Sequence, residues 1–304
     1  RYPRDRHRAD AIRRRYAITA MDHLVIDEAS MIGAKDLATV LEWTAERNIT
    51  VTMIGDPQQL QSVDASGPFG RLHAARPGAE LVENLRQQTD IGRECAAFLR
   101  DGNAEDALLL LADAGQLVVA TSQTHAQRIL INAWAERTEQ APTPRDRVLG
   151  TGLESDRNDQ VDILNTLARR EARQRGWITG TDHPYTAKGR TVAYAEGDQI
   201  LITTNIHRKA RPSLANGTRA LVTAVSDHGV DITYWDDSGE HTDHLTARQA
   251  VTHVRHGYAM TTHKLQGQTV DSLVIDFGPE RDLSSTYVAL TRHRNDVLAV
   301  VNIA

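Results

Sequence analysis

Asp27 and Glu28 close a short apolar run, Leu24-Val25-Ile26, within the stretch Leu-Val-Ile-Asp-Glu-Ala-Ser over residues 24–30. A buried parallel strand delivers carboxylates in this way to the edge of an open α/β sheet, where a magnesium nucleotide sits. The chemistry open to such a pair is nucleotide hydrolysis with divided labour. Asp27 would hold Mg2+ through water, and Glu28 would orient the attacking water and accept its proton. Acids after a strand can equally cap the helix that follows. A second polar strand end comes at Gly55-Asp56-Pro57-Gln58-Gln59-Leu60. Gln59 carries a neutral amide able to hydrogen-bond a γ-phosphate or the attacking water, a contact that hydrolysis removes. Taken alone, the segment is a turn.

Two arginines and one polar stretch add to this chemistry. Arg86 follows Glu83-Asn84-Leu85, and Arg292 ends Tyr287-Val288-Ala289-Leu290-Thr291-Arg292. A planar guanidinium pairs bidentately with phosphate oxygens and stabilises charge on a transferring phosphoryl group. The stretch from Gly257 to Thr269 concentrates Tyr258, Thr261, Thr262, His263 and Lys264 before Gly267. Hydroxyls, an imidazole and a lysine can contact a sugar-phosphate backbone, and Tyr258 or His263 could stack on a base. As free-standing residues they would form a solvated loop. No other histidine pair has metal spacing, and no Gly-x-Ser-x-Gly nucleophile elbow occurs.

These residues need a scaffold, and the patterning supplies one. A strand at 24–26, an amphipathic helix near 34–47 and a buried strand at 49–54 form a βαβ unit with parallel strands. Helices are expected at 89–100, 104–113, 124–138 and 158–176, and strands at 117–120 and 148–150. From Tyr194, turn signals at Gly197-Asp198, Asn216-Gly217, His228-Gly229 and Asp236-Asp237-Ser238-Gly239 punctuate strands at 199–204, 218–225, 230–235 and 241–245. That spacing suggests a small inserted antiparallel barrel. The α/β pattern resumes after Val254, with a strand at 273–277, a helix at 284–292 and a strand at 297–303.

Bulk composition narrows the classes. The 304 residues carry 35 basic and 40 acidic side chains, a net charge of −5, which neither advertises nor excludes nucleic-acid binding. Arg1, Arg4, Arg6, Arg8, Arg13, Arg14 and Arg15 crowd the start, as a solvated arm or a phosphate-contacting segment. The single cysteine, Cys95, excludes an internal disulfide and a cysteine zinc cluster, and its helical setting suggests a buried structural thiol. No apolar run is long enough to cross a bilayer and no signal peptide is visible, so a cytoplasmic protein is expected.

Together these segments resemble superfamily 1 DNA helicases of the RecD-like type. Asp27-Glu28-Ala29-Ser30, Gly55 to Leu60, Arg86, Gly257 to Gly267 and Ala289 to Arg292 look like motifs II, III, IV, V and VI in order. The closest likeness is to the helicase half of conjugative relaxase–helicases of the TraA/TrwC type, in Arg86-Gln87-Gln88, in Phe98 to Gly102, and in Gly197-Asp198 with Asn216-Gly217. The resemblance implies an α/β fold of two RecA-like P-loop NTPase lobes, with ATP between them and single-stranded DNA across their top. It implies lobe 1 over 1–83, lobe 2 over 84–193 and 255–304, and an SH3-like barrel over 194–254. Glu28, Gln59, Arg86 and Arg292 would be catalytic. Asp27 would hold Mg2+, with Gly55, Asp56, Gln59 and Gly267 beside the nucleotide, and Tyr258, Thr261, Thr262, His263 and Lys264 would lie near DNA. The direction implied is 5′-to-3′.

The departure from the family pattern is motif I. No Gly-x-x-x-x-Gly-Lys-Ser/Thr precedes Asp27, and no relaxase domain with tyrosine nucleophiles is present. The expectation is therefore the C-terminal portion of an ATP-dependent helicase, inactive alone, whose first lobe exposes apolar sheet edges. Its partners would be single-stranded DNA, ATP, the remainder of lobe 1 and a relaxase domain. The alternative is a non-enzymatic DNA-binding or interaction module.

Overall fold

The computed structural model describes residues 23–59, 68–81, 83–208, 213–278 and 281–303. The arginine-rich arm, Leu60 and Gly67 lie outside them. The chain divides into two units, residues 1–82 and 83–304.

In the first unit, β1 (His23–Ile26) and β2 (Thr50–Met53) pair in parallel, Ile26 opposite Met53. Helix α1 (Ala34–Ala45) crosses between them and buries Leu37 and Thr44. The short helix α2 (Pro68–Ala75) buries Phe69. The strands are less covered than their apolar composition suggests. Burial alternates along both, and Val25 and Ile54 are about half exposed. The physical reason is that a two-stranded sheet with one helix packed against it leaves one face open.

The second unit is built on a five-stranded parallel sheet. Its strands are β3 (Leu117–Ala120), β4 (Thr151–Ser155), β12 (Met260–Thr261), β13 (Val270–Phe277) and β14 (His293–Asn302), in the order β12-β4-β13-β14-β3. Strand alternation sends Val274 and Val300 to one face and Leu273, Ile275 and Ala299 to the other. On the first face lie α5 (Gln123–Glu139) and α7 (Asn158–Gln174), centred on the fully buried Trp134. On the second lie α3 (Asp90–Arg100), α4 (Ala104–Asp113) and α10 (Leu283–Leu290). Cys95 is buried in this layer, and burial pushes its thiol up to about 12, which fits a structural cysteine.

Local sequence signals explain most boundaries. Thr89, Ser122 and Asp282 each cap a helix by accepting a backbone N–H. The strand expected at 148–150 is instead the end of a helix, α6 (Pro144–Leu149). Thr143 accepts the Asp146 N–H and Pro144 fills the first turn, a start signal that overrides the apolar Val148-Leu149 pair.

Between β4 and β12 the chain builds an antiparallel sheet. Strands β7 (Gln199–Ile202), β8 (Arg219–Ser226), β9 (Gly229–Asp236), β10 (Gly239–Thr246) and β11 (Val254–His256) run in the order β10-β9-β8-β7-β11. A hairpin of β5 (His183–Ala187) and β6 (Arg190–Tyr194) and the helix α8 (Ala247–Thr252) close over it. Tyr185 and Tyr194 share one core with Ile200, Ile232 and Val251. This part of the fold therefore begins upstream of residue 194. Lys188 and Gly189, with φ of 51° and 73°, make the tight hairpin turn there, and Lys-Gly is a weaker turn signal than Asn-Gly.

Candidate functional site

In the first unit, the ends of β1 and β2 are stitched together beyond their ladder. Ile54 N donates to Ile26 O at 2.8 Å, and Ala29 N donates to Ile54 O at 2.9 Å. Buried Ser30 then donates its hydroxyl to Asp56 O at 2.7 Å. These bonds bring Asp27-Glu28 and Gly55 to Gln59 to one edge. Gly55 permits the approach, since a Cβ there would lie 3.0 Å from Ser30 Oγ and 3.2 Å from Ala29 N. Asp27 is exposed, and its Oδ1 accepts the Glu28 N–H. Glu28 sits in the left-handed region, φ 51° and ψ 41°, which a non-glycine residue enters at an energetic cost. Gln59 donates to Asp56 Oδ2 at 3.2 Å, while its own Oε1 is buried with no hydrogen-bond partner. An exposed carboxylate, a strained acid and a half-satisfied amide thus share one strand edge.

In the second unit, the arginines gather where β14 begins. Arg86 Nη1 donates to Thr291 O at 3.1 Å, and Gln88 N donates to Arg294 O at 2.7 Å. Arg86 also lines an open hollow with Leu85, Gln88, Asp271 and Arg294. Arg292 is buried, its Nε donating to Val288 O at 3.2 Å. The structure therefore brings Arg86 and the residues around Arg292 together across more than 200 positions of sequence.

His293 is buried beside them, with Nδ1 unpartnered, and burial pushes its imidazole down to about 4. The unfolded chain titrates this group near 6.5 and so takes up the proton first as pH falls. The folded state therefore loses up to about 3 kcal/mol between pH 6.5 and 4 on this group's behalf. Urea unfolding at pH 7 and pH 4.5 should show that loss, and His293→Gln should flatten it.

The segment read as DNA-facing leaves the same sheet at the C-terminal end of β12 and returns to its N-terminal end at β13, where Val270 N donates to Arg292 O at 3.0 Å. His263 and Gly267 are exposed, Thr261 and Lys264 half-buried. Lys264, in the short helix α9 (Thr262–Leu265), donates from Nζ to Asn216 Oδ1 at 2.6 Å, and Gln268 donates to Lys264 O. Burial and then the neighbouring Arg255 push the Lys264 ammonium below its ordinary value. Two residues leave the DNA-facing set. Tyr258 is fully buried, with its hydroxyl donating to Asp198 Oδ1 at 2.7 Å and its ring edge-on to Trp134. It has no face open to a base. Thr262 is also buried, its hydroxyl donating to Glu154 and accepting from Arg281.

Glu154 and Arg281 were not legible as a pair. Both Glu154 oxygens accept from Arg281 Nη2 at 2.9 Å, and the two side chains are 0% and 1% exposed. Burial pushes the Glu154 carboxyl up, opposed by Arg281. The partners lie 127 residues apart and meet only because β4 and β13 are neighbours. The sequence signal available was a lone glutamate within the short strand Thr151–Ser155.

Comparison with known proteins finds similar families and folds. Residues 5–122 match the AAA domain family and residues 205–300 the viral superfamily 1 RNA helicase core domain. The chain is 32% identical over 276 residues to the conjugal transfer protein TraA of Agrobacterium fabrum, and 29% identical over 274 residues to that of Rhizobium radiobacter. These matches support a superfamily 1 helicase-like chain related to TraA. Each alignment takes in 90% of the chain and 24% of the relative, so the chain spans about a quarter of the length of the TraA proteins it matches. In fold, this TraA relative is similar to the Pif1 helicase from Candida albicans, with a TM-score of 0.60 and 18% identity over 98% of this chain and 75% of that one. It is likewise similar to the Bacteroides Pif1 helicase in complex with ADP-AlF3 and single-stranded DNA, with a TM-score of 0.58 and 18% identity over 93% and 71%. No helix among the described residues is long and apolar enough to cross a membrane.

Proposed function

We propose that this chain forms the motor portion of an ATP-dependent DNA helicase of conjugative transfer, moving 5′-to-3′ on single-stranded DNA in the cytoplasm. The observation that carries this reading is the division of one parallel sheet. The arginines gather at the N-terminal end of β14, while His263 and Lys264 follow the C-terminal end of β12. The segment that carries His263 and Lys264 ends at Val270, bonded to Arg292 O, and can transmit a change from one end to the other.

The residues divide the work as follows. Asp27, an exposed carboxylate, suits Mg2+, which is commonly held by one or two carboxylates plus phosphate oxygens. No group of three or more acidic, histidine or cysteine side chains that could form an all-protein cage occurs among the described residues. Glu28 accepts the proton of the attacking water, and Gln59, with its unpartnered Oε1, reads the γ-phosphate side. Gly55, Asp56 and Gly267 shape the nucleotide contacts, and Arg86 and Arg292 offset charge on the transferring group. Thr261, His263 and Lys264 track the DNA backbone. The antiparallel sheet is read as the SH3-like insertion, and a relaxase domain and the rest of a first lobe as portions of the full-length protein.

The test is ATP hydrolysis by the full-length gene product with and without single-stranded oligonucleotide. The expected result is turnover stimulated at least tenfold by single strands. Equal turnover with and without DNA would contradict the reading.

A further inference from the structure

The Arg86-Gln87-Gln88 segment contains a residue that the functional reading leaves without a task. Gln87 is 3% exposed, and its side-chain Nε2 donates to Thr291 O at 3.0 Å and to His293 O at 2.8 Å. Those two carbonyls flank Arg292 in the chain. One amide group, using both its hydrogens, thus grips the backbone on either side of that arginine. Thr291 O also accepts from Arg86 Nη1. A single carbonyl therefore links the two arginines, and Gln87 fixes it.

The main chain of Gln87 is itself held. Arg93 Nη1 donates to Gln87 O at 3.1 Å, and Gln87 N lies 3.4 Å from Asn84 Oδ1. The side-chain stem packs on Gly92, where an added Cβ would come 3.0 Å from Gln87 Cγ. None of the nearest side chains in size meets the geometry. Asparagine is one methylene short, glutamate faces two carbonyls without a donor, and methionine fills the space with no hydrogen bond.

We propose that Gln87 is a positioning residue that sets the spacing of the Arg86 and Arg292 guanidinium groups by clamping the carbonyls of Thr291 and His293. The proposal rests on the reading of those arginines as stabilisers of phosphoryl transfer, where small misplacements of a positioned group lower turnover steeply. Gln87 itself touches no substrate.

The test has two arms. In the full-length gene product, Gln87→Met should lower kcat for DNA-stimulated ATP hydrolysis about tenfold and change KM for ATP less than twofold. In an Arg292→Ala background the same substitution should lower kcat less than threefold, because the group it positions is gone. An equal tenfold loss in both backgrounds overturns the proposal. In the second arm, the Arg86 and Arg292 Nε–Hε signals of the 304-residue chain are followed by NMR. Gln87→Met should shift both and speed Arg292 Hε exchange about tenfold, and unchanged signals overturn the proposal whether or not ATP is hydrolysed. Absence of ATP hydrolysis by the unaltered protein sinks the functional reading alone. Should Gln87→Met not fold, Gln87→Asn, which draws the amide back by one methylene, gives the same readings.

Discussion

Glu28→Gln should abolish nearly all DNA-stimulated ATP hydrolysis in the full-length gene product, lowering kcat by about 10²- to 10⁴-fold, the range lost with a general base. Glutamine keeps the size and hydrogen-bonding reach of glutamate but cannot accept the proton. Both residues enter the left-handed backbone at Glu28 with comparable strain, so thermal stability should be unchanged. Binding to single-stranded DNA should stay within about twofold, since the loss falls on a step made only in the transition state. Turnover at half the original rate or better would remove Glu28 from the chemistry.

Arg281→Met should be the most destabilising single change in the second unit. It strips the charge partner from Glu154, a carboxylate with no exposure, and removes the donor that the Thr262 hydroxyl accepts from at the start of α9. Breaking a buried pair on one side costs about 3–5 kcal/mol, because the remaining charge stays buried and unpaired. For a unit of this size the melting temperature should fall by roughly 10 °C. The double replacement Glu154→Met with Arg281→Met should recover most of that loss, since an apolar pair of similar volume removes the stranded charge. A single-mutant loss below about 1 kcal/mol would mean that Glu154 relaxes to water. The position of the pair gives it a second consequence. It underlies the residues proposed to follow DNA, so Arg281→Met should also weaken single-strand binding by the folded protein.

Much of this was legible in the sequence because local signals carried it. Helix α4 and strand β3 fall where the apolar pattern placed them, at 104–113 and 117–120. The order of polar strand ends located Asp27-Glu28 and Gly55 to Gln59, and the structure joins those two ends through Ser30 and Asp56. What failed was decided by tertiary packing. Tyr258 reads as a stacking platform until Trp134 and Asp198, contributed by α5 and the loop before β7, close around it. Thr262 reads as a backbone contact until Glu154 claims its hydroxyl. The β5–β6 hairpin escaped because its turn is Lys188-Gly189, and α6 because two apolar residues imitated a strand. Gln87 was visible only as part of a family-like phrase; its grip on Thr291 and His293 spans 204 and 206 positions, which no local pattern reports.

The most direct test of ATP-driven movement on single strands is streptavidin displacement by the full-length gene product from oligonucleotides biotinylated at one end. Movement in the 5′-to-3′ direction predicts ATP-dependent release from the 3′ end, little release from the 5′ end, and none from either with Glu28→Gln. Release that is independent of ATP, or hydrolysis of ATP with no displacement from either end, would contradict it.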